Sequence, residues 1–210
     1  IFINKVKYIY CGINGGPGIS RNKGALFAKS KYLFFLDCGD QSVPKRAKLQ
    51  LNSLLGHDVS FGNIREITPS GKERVRKGAR SFKNAKNLIS LRNPFNNVTM
   101  AIKKDSFLEI GGYANLRVGE DWVLMGKIIK KGLKISCIES ELVNVFIGQN
   151  FLQRRWGGGY IKEINKCLKE LYKLKLMNKF TYLISLSSQF LMRRIIPLKV
   201  LSIIYRLLRE

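Results

Sequence analysis

Residues 14–44 read NGGPGISRNKGALFAKSKYLFFLDCGDQSVP. Glycines come first, then the pair Arg21–Asn22, then a helical run, then an apolar strand over residues 31–36. That strand empties into Asp37 and Asp40. A buried strand with carboxylates at its C-terminal end is where open α/β sheets place their ligands.

Upstream, residues 6–10 read as a short buried strand. Gly12, Gly15, Gly16 and Gly18, around Asn14 and Pro17, allow a tight turn that exposes backbone N–H groups to an anion. The spacing is no dinucleotide fingerprint, because the third glycine of G-x-G-x-x-G falls at Arg21. No G-x-x-x-x-G-K-[ST] exists either. Ser20 is expected to cap a helix running to about Ala28, with Leu26 and Phe27 on its buried side. The continuous apolar run of residues 32–36 predicts a strand covered on both faces.

Downstream, Pro44 is expected to open a helix to Leu55, with Ala47, Leu51, Leu54 and Leu55 at helical spacing. Residues 59–64 form the next strand. Residues 65–86 change character: from residue 72 to residue 86, seven basic side chains face the single acid Glu73. That predicts an exposed, mobile basic loop, either a solvated excursion or a flap over an anionic ligand. A strand is predicted over 98–102 and a short helix over 105–110, ended by Gly111–Gly112. A helix follows over 120–131, with Val123, Leu124, Ile128 and Ile129 on one side and Gly132 as its stop. Two strands follow, over 133–138 and 142–147. Beyond residue 151 the pattern is helical, over 160–177, 180–192 and 197–208. The middle helix is too short to span a bilayer, which takes about 20 residues.

The 210 residues carry 38 Lys and Arg against 14 acids, a formal net charge of +24. That balance favours anionic partners: nucleic acid, acidic headgroups or phosphorylated substrates. Cys11, Cys38, Cys137 and Cys167 show no C-x-x-C spacing, which argues against a zinc site and fits reduced thiols in a cytosolic protein. The lone His57 reads as a surface residue. No signal peptide is visible ahead of Val6.

Two acidic points stand out in so basic a chain. One is Asp37 and Asp40; the other is Glu120–Asp121, opening a helix behind a glycine-rich turn. Acids at a helix start often serve only as caps and dipole partners, contributing under about 1 kcal/mol. Taken with Asp37, they fit an enzyme that holds a metal–phosphate group at one point and removes a proton at the other.

The order NGGPGISRNKG, YLFFLDCGD with Pro44 four residues on, IGGY, then GEDW resembles the family 2 glycosyltransferases of GT-A fold. Those read A-R-N-x-G, F-L-D-x-D-D, G-G-Y and E-D-W or E-D-Y. The tail, with Arg154–Arg155 before a basic helix, is similar to the amylovoran branch that builds bacterial exopolysaccharide. The resemblance covers nearly the whole chain. It implies an α/β GT-A domain, a mixed sheet flanked by helices, over residues 1–150, and a basic amphipathic helical extension over 151–210. It implies an inverting transfer of a sugar from a nucleotide-diphosphate sugar to a saccharide or lipid-linked saccharide. Asp121 would be the base and Glu120 its neighbour that orients it or touches the acceptor. Arg21, Asn22, Gly111, Gly112, Trp122, Arg154 and Arg155 would bind the donor. Asp37 and Asp40 would hold a divalent metal, Mg²⁺ or Mn²⁺.

Two departures from the pattern matter. The family's D-x-D-D would put aspartates at 37, 39 and 40, but position 39 is glycine, so Asp40 substitutes or the metal is held weakly. Cys38 is too soft a ligand for Mg²⁺. The family's first strand, and its second strand with the base-binding Asp, are also missing ahead of Val6, as in a truncated domain. Residues 153–156 read Q-R-R-W, one residue short of the processive Q-x-x-R-W. The expected setting is cytoplasmic, on the inner face of the cytoplasmic membrane, with no nucleic acid as partner. The rivals are a basic nucleic-acid-binding protein and a GT-A relative without activity. Against the first, Tyr32, Phe34 and Phe35 lie in an apolar strand rather than among basic residues.

Overall fold

A computed structural model describes residues 6–148, 152–197, 199–201 and 203. The elements, in chain order, are α1 (Pro17–Phe27), β1 (Tyr32–Phe34), β2 (Gln41–Ser42), α2 (Arg46–Leu54), β3 (Val59–Ile67), β4 (Glu73–Arg76), α3 (Phe82–Leu88), β5 (Ala101–Lys103), α4 (Lys104–Glu109), α5 (Glu120–Lys131), β6 (Ile135–Phe146), α6 (Gly158–Lys173) and α7 (Lys179–Phe190). Short 3₁₀ turns cover Asn97–Thr99 and Gln153–Arg155, and a π-helical turn, Leu191–Ile195, ends α7.

Six strands form one mixed sheet in the order β1-β5-β3-β6-β2, with β4 pairing β3 beyond the end of β5. The β3–β6 pair is parallel; the other pairs are antiparallel. It follows that β1, β3 and β6 run the same way and end at the same edge. The core beneath that edge is aromatic: Phe61 stacks on Phe95 at 4.2 Å, and Phe35 meets Phe107 and Tyr113 at 5.4 and 5.5 Å.

Helix α5 matches its sequence signals. Gly119 precedes it in the left-handed region, two acids occupy its first turn, and Lys130 and Lys131 its last. Gly132, at φ +75°, donates its N–H to Ile128 and Ile129 carbonyls, a glycine C-terminal stop. The helix is buried nearly all round rather than on one side, because α6 lays Ile164, Cys167, Leu168 and Leu171 over it in the same core.

Several expectations are corrected. Residues 6–10 are not a strand: they have no ladder partner among the described residues, and all but the half-buried Ile9 are exposed. Helix α1 starts at Pro17, whose fixed φ suits the first helical position, so Ser20 lies inside it. Its buried residues are Gly18 and Ala25, while Leu26 and Phe27 are exposed. Residues 32–36 alternate, with Leu33 and Phe35 in and Phe34 and Leu36 out, so one face of that strand is covered rather than two. In α2 the buried stripe is Arg46, Gln50 and Leu54; Leu51 and Leu55 face out.

Residues 65–86 are ordered structure, not a loop. β3 runs on to Ile67, turns back as β4, and α3 follows, capped by the Ser81 side chain. Within this segment Arg65 bonds Glu73 and Glu141, and Arg74 bonds Glu66. The two strands expected over 133–138 and 142–147 are one strand, β6, whose register against β3 shifts at Gly62 and Asn63. Leu142 packs over Gly62, leaving no room there for a side chain. The strand expected over 98–102 begins instead with the 3₁₀ turn and pairs only over Ala101–Lys103. The final helix expected over 197–208 falls largely outside the described residues.

Candidate active site

A cleft of about 860 Å³ opens where β1, β3 and β6 end. Asp37, Cys38 and Asp40 follow β1, Ile64 and Glu66 belong to the end of β3, Val145 to the end of β6, and Ile147 comes just after it. Glu120 and Asp121 reach it from the start of α5, and Arg154, Arg155 and Arg193 from the C-terminal helical segment. The two acidic points of the sequence therefore share one cleft.

Arg21 joins them. Its Nη2 donates to Asp37 Oδ1 at 2.6 Å and its Nη1 to Glu120 Oε1 at 2.9 Å. Its guanidinium carbon lies 5.2 Å from the Tyr113 ring centre. Burial works to lower the Arg21 pKa, but Asp37, Tyr113 and Glu120 outweigh it and the net shift is upward. Burial, then Asp121, pushes the Glu120 carboxyl up; Arg21 pulls it back only in part. Burial likewise raises the Tyr113 phenol, whose hydroxyl donates to Asn97 Oδ1 at 2.9 Å.

Asn22, Gly111 and Gly112 do not line the cleft. The Asn22 side chain forms a reciprocal pair with the Tyr113 backbone, both bonds 2.9 Å. Gly112 sits at φ +53°, and a side chain there would meet Asn22 Oδ1 at 2.5 Å. These residues hold α1 against the 111–113 turn, and so hold Arg21 in place. Trp122 touches the cleft but is mainly core: it is buried, and its Nε1 donates to the Ile89 carbonyl at 2.8 Å.

Asp121 is fixed at both oxygens. Oδ1 accepts from Trp122 N–H at 2.8 Å and Oδ2 from Asn93 Nδ2 at 3.0 Å. Each oxygen keeps a second lone pair for another proton. Asn93 escaped the sequence reading, since a lone Asn before Pro94 looks like any turn residue. Behind the acids, Gly119 adopts φ +78° and its carbonyl accepts from the buried Cys167 thiol at 3.4 Å. Burial pushes that thiol's pKa upward.

Asp40 lies across a turn from Asp37, its N–H bonded to the Asp37 carbonyl at 3.2 Å. Burial raises its pKa; the Phe146 N–H opposes this and the Asp37 charge adds to it. Among the described residues no three His, Cys, Asp or Glu side chains gather as a metal site. The two aspartates still fit a hard cation. Mg²⁺ is commonly held by one or two carboxylates, with phosphate oxygens and water completing the octahedron. Gly39, at φ +92° with open space around it, contributes no oxygen from a side chain.

The wall opposite the sheet edge is basic. Arg154 and Arg155 lie in an exposed 3₁₀ turn. Arg193, from the π-helical turn, is buried over the Tyr160 ring at 4.4 Å and donates to the Arg155 carbonyl. Arg76, Arg92 and Arg117 add further cations around the cleft. Arg76 belongs to the basic run that the sequence marked, whereas the neighbourhoods of Arg92 and Arg117 carry no such pattern and only the fold gathers them.

Residues 2–111 match the family described as Glycosyl transferase family 2, and the chain belongs to that family. Its sheet and flanking helices are those of the GT-A fold. It is 28% identical over 199 residues to the amylovoran biosynthesis glycosyltransferase AmsE of Erwinia amylovora, covering 91% of this chain and 73% of that protein. It is 27% identical over 198 residues to an uncharacterized glycosyltransferase of Haemophilus influenzae, covering 92% and 73%. A shorter match, 26% over 115 residues, joins it to the UDP-Gal:alpha-D-GlcNAc-diphosphoundecaprenol beta-1,3-galactosyltransferase of Escherichia coli, covering 55% and 42%. Among solved structures, S. aureus TarS 1-349 in complex with UDP-GlcNAc superposes with a TM-score of 0.59 at 15% identity, covering 84% of this chain. The chain spans about half of that structure's length, 53%.

Proposed function

We propose that the cleft transfers a sugar from a nucleotide-diphosphate sugar to a saccharide acceptor, free or lipid-linked, with inversion at the anomeric carbon. The setting is bacterial polysaccharide synthesis at the inner face of the cytoplasmic membrane. The observation that carries this reading is the Arg21 bridge, which places the Asp37 edge and the Glu120–Asp121 helix start on one cleft.

In this scheme the acceptor hydroxyl attacks the anomeric carbon as its proton passes to Asp121. The bond from that carbon to the diphosphate oxygen breaks, and the nucleoside diphosphate leaves with the electron pair. Trp122 N–H and Asn93 keep the Asp121 carboxylate aimed. Glu120 and Arg21 set the start of α5 against Asp37. Asp37 and Asp40 are the residues that would hold a divalent metal, Mg²⁺ or Mn²⁺, which supplies positive charge to the departing diphosphate. Arg154 and Arg155 add guanidinium donors suited to phosphate oxygens. Asn22, Gly111 and Gly112 serve the donor side by fixing the loop behind Arg21, and Trp122 by anchoring α5.

TarS has been solved with UDP-GlcNAc and with UDP, and the Escherichia coli relative is named for UDP-Gal. UDP is therefore the first probe. Calorimetric titration of UDP and GDP with Mn²⁺ present tests the reading. UDP should bind, weaken at least about tenfold in Asp37→Asn, and bind almost normally to Asp121→Asn, since a base acts on the acceptor proton. Failure of both nucleotides to bind would leave a relative that keeps the fold without the activity.

A further inference from the structure

Helix α7 has two unlike faces. On one, the Ser185 hydroxyl donates to the Ser90 carbonyl at 3.0 Å and the Tyr182 hydroxyl to Asn165 Oδ1 at 2.7 Å. Gln189, and Arg193 one turn further, line the cleft from this side. On the other face Phe180, Leu183, Ile184, Phe190 and Leu191 are between 45 and 71% exposed. At about 100° per residue these five and Ser187 fall within one stripe roughly 120° wide. Lys179 and Arg194 stand exposed at its two ends.

We propose that this stripe docks on an anionic lipid surface. An exposed apolar helix face with cations at its margins is the chemistry of a helix that lies in a membrane interface. Among the described residues no helix is long and apolar enough to cross a membrane, so this one lies along the surface. Charge selects the occupant. Residues 151–210 hold 13 basic and three acidic side chains in a chain of net charge +24. A second copy of the chain would bring that charge against itself, whereas anionic headgroups neutralise it.

The docking face and the cleft wall are two sides of one helix. Gly157 N–H donates to the Arg193 carbonyl at 3.0 Å and Trp156 Nε1 to the Ile196 carbonyl at 3.3 Å. With the Arg193 bond to Arg155, these tie the Arg154–Arg155 turn to the end of α7. A docked protein holds its cleft beside the headgroups, within reach of the head of a lipid-linked saccharide. That consequence deepens the transfer proposed above and rests on it; the docking itself does not.

The test is co-sedimentation with phosphatidylglycerol and phosphatidylcholine vesicles at low and high salt. The protein should pellet with the anionic vesicles, and salt should reduce the bound fraction severalfold. Phe180→Ser combined with Phe190→Ser should cut binding at least tenfold. Ser187→Leu, which completes the apolar stripe, should raise it severalfold. Binding blind to lipid charge, or equal in all three proteins, overturns the proposal. So does a stripe that holds a dimer together, seen as monomers when the double variant is run in analytical ultracentrifugation. UDP titration without vesicles separates the two ideas, because stripe variants should bind UDP like the parent even where docking fails.

Discussion

Arg21 and Glu120, 99 positions apart in sequence, are joined by an ion pair of 2.9 Å. The same guanidinium holds Asp37 at 2.6 Å. One cation thus sets the distance between the strand end and the helix start that the chemistry needs together.

Arg21→Met should therefore destabilise the protein. Breaking a buried pair costs about 3–5 kcal/mol. Here both side chains are partly open to the cleft, so about 2 kcal/mol is expected. The loss should depend on pH. Glu120 is held above the ordinary carboxyl range by burial first and by Asp121 second, with Arg21 opposing. A raised folded-state pKa means that the native state binds the proton more tightly than the unfolded chain. Stability from this group then falls as pH rises from the unfolded Glu value, about 4.3, through its folded value. Without Arg21 that fall deepens. Urea unfolding at about pH 4.5 and pH 7 should show a larger deficit for the variant at the higher pH. A deficit that ignores pH would contradict the pairing.

Asn93→Ala should act on turnover rather than donor binding. It removes the 3.0 Å bond to Asp121 Oδ2 and leaves the Trp122 N–H bond in place. With one of two restraints gone, kcat should drop roughly tenfold while the donor KM stays within about twofold. Asp121→Asn should cost about 10²–10⁴ in kcat. Steady-state kinetics of both variants against the parent decides this, and a donor KM that rises with unchanged kcat would place Asn93 in the nucleotide pocket instead.

Metal removal should affect nucleotide affinity. In the proposed site the cation would meet two carboxylates, Asp37 and Asp40, and Arg21 already engages one of them. Such a site holds Mg²⁺ or Mn²⁺ weakly until phosphate oxygens join it. Chelation should lower UDP affinity about tenfold or more, and Mn²⁺ without nucleotide should bind in the millimolar range or weaker. Tight Mn²⁺ binding to the protein alone would show a ligand beyond these two residues.

The frame of this site was legible because the signals were local. Asp37 at the end of an apolar run, Glu120–Asp121 behind a glycine turn and the Gly132 stop all announce themselves within a few residues. What was not legible came from long-range pairing. In α2 the leucine spacing pointed to Leu51 and Leu55, yet the fold buries Arg46 and Gln50. Those side chains satisfy the carbonyls of Phe35, Ser60 and Thr99, atoms from three other segments. Burial lowers the Arg46 pKa to about 10. Similarly, residues 65–86 looked mobile because no apolar face was visible. The β3–β4 ladder and the buried Ala79 and Ala85 supply the order instead, with ion pairs to Glu66 and Glu141 beside them. Arg92, Arg117 and Asn93 share this character, for their meaning lies in neighbours that sequence distance hides.

Gly119 immediately precedes Glu120 at φ +78°, and a Cβ there would lie 2.6 Å from Cys167 Sγ and 2.8 Å from its Cβ. Gly119→Ala thus meets two penalties: about 1 kcal/mol for a side chain in the left-handed region, and overpacking against α6 of about 1–3 kcal/mol. For a domain of this size a total near 2–3 kcal/mol lowers Tm by roughly 5–10 °C. Cys167→Ala alone should cost about 1 kcal/mol, since it loses a thiol and its bond to the Gly119 carbonyl. Together the two changes should cost less than their sum by at least about 0.5 kcal/mol, because the smaller residue relieves part of the contact. The relief is partial, as the Cys167 Cβ remains. Thermal unfolding of the four proteins completes the cycle. Strictly additive losses would mean that α6 does not press on the start of α5, and that Glu120 and Asp121 owe their placement to Arg21 and Asn93 alone.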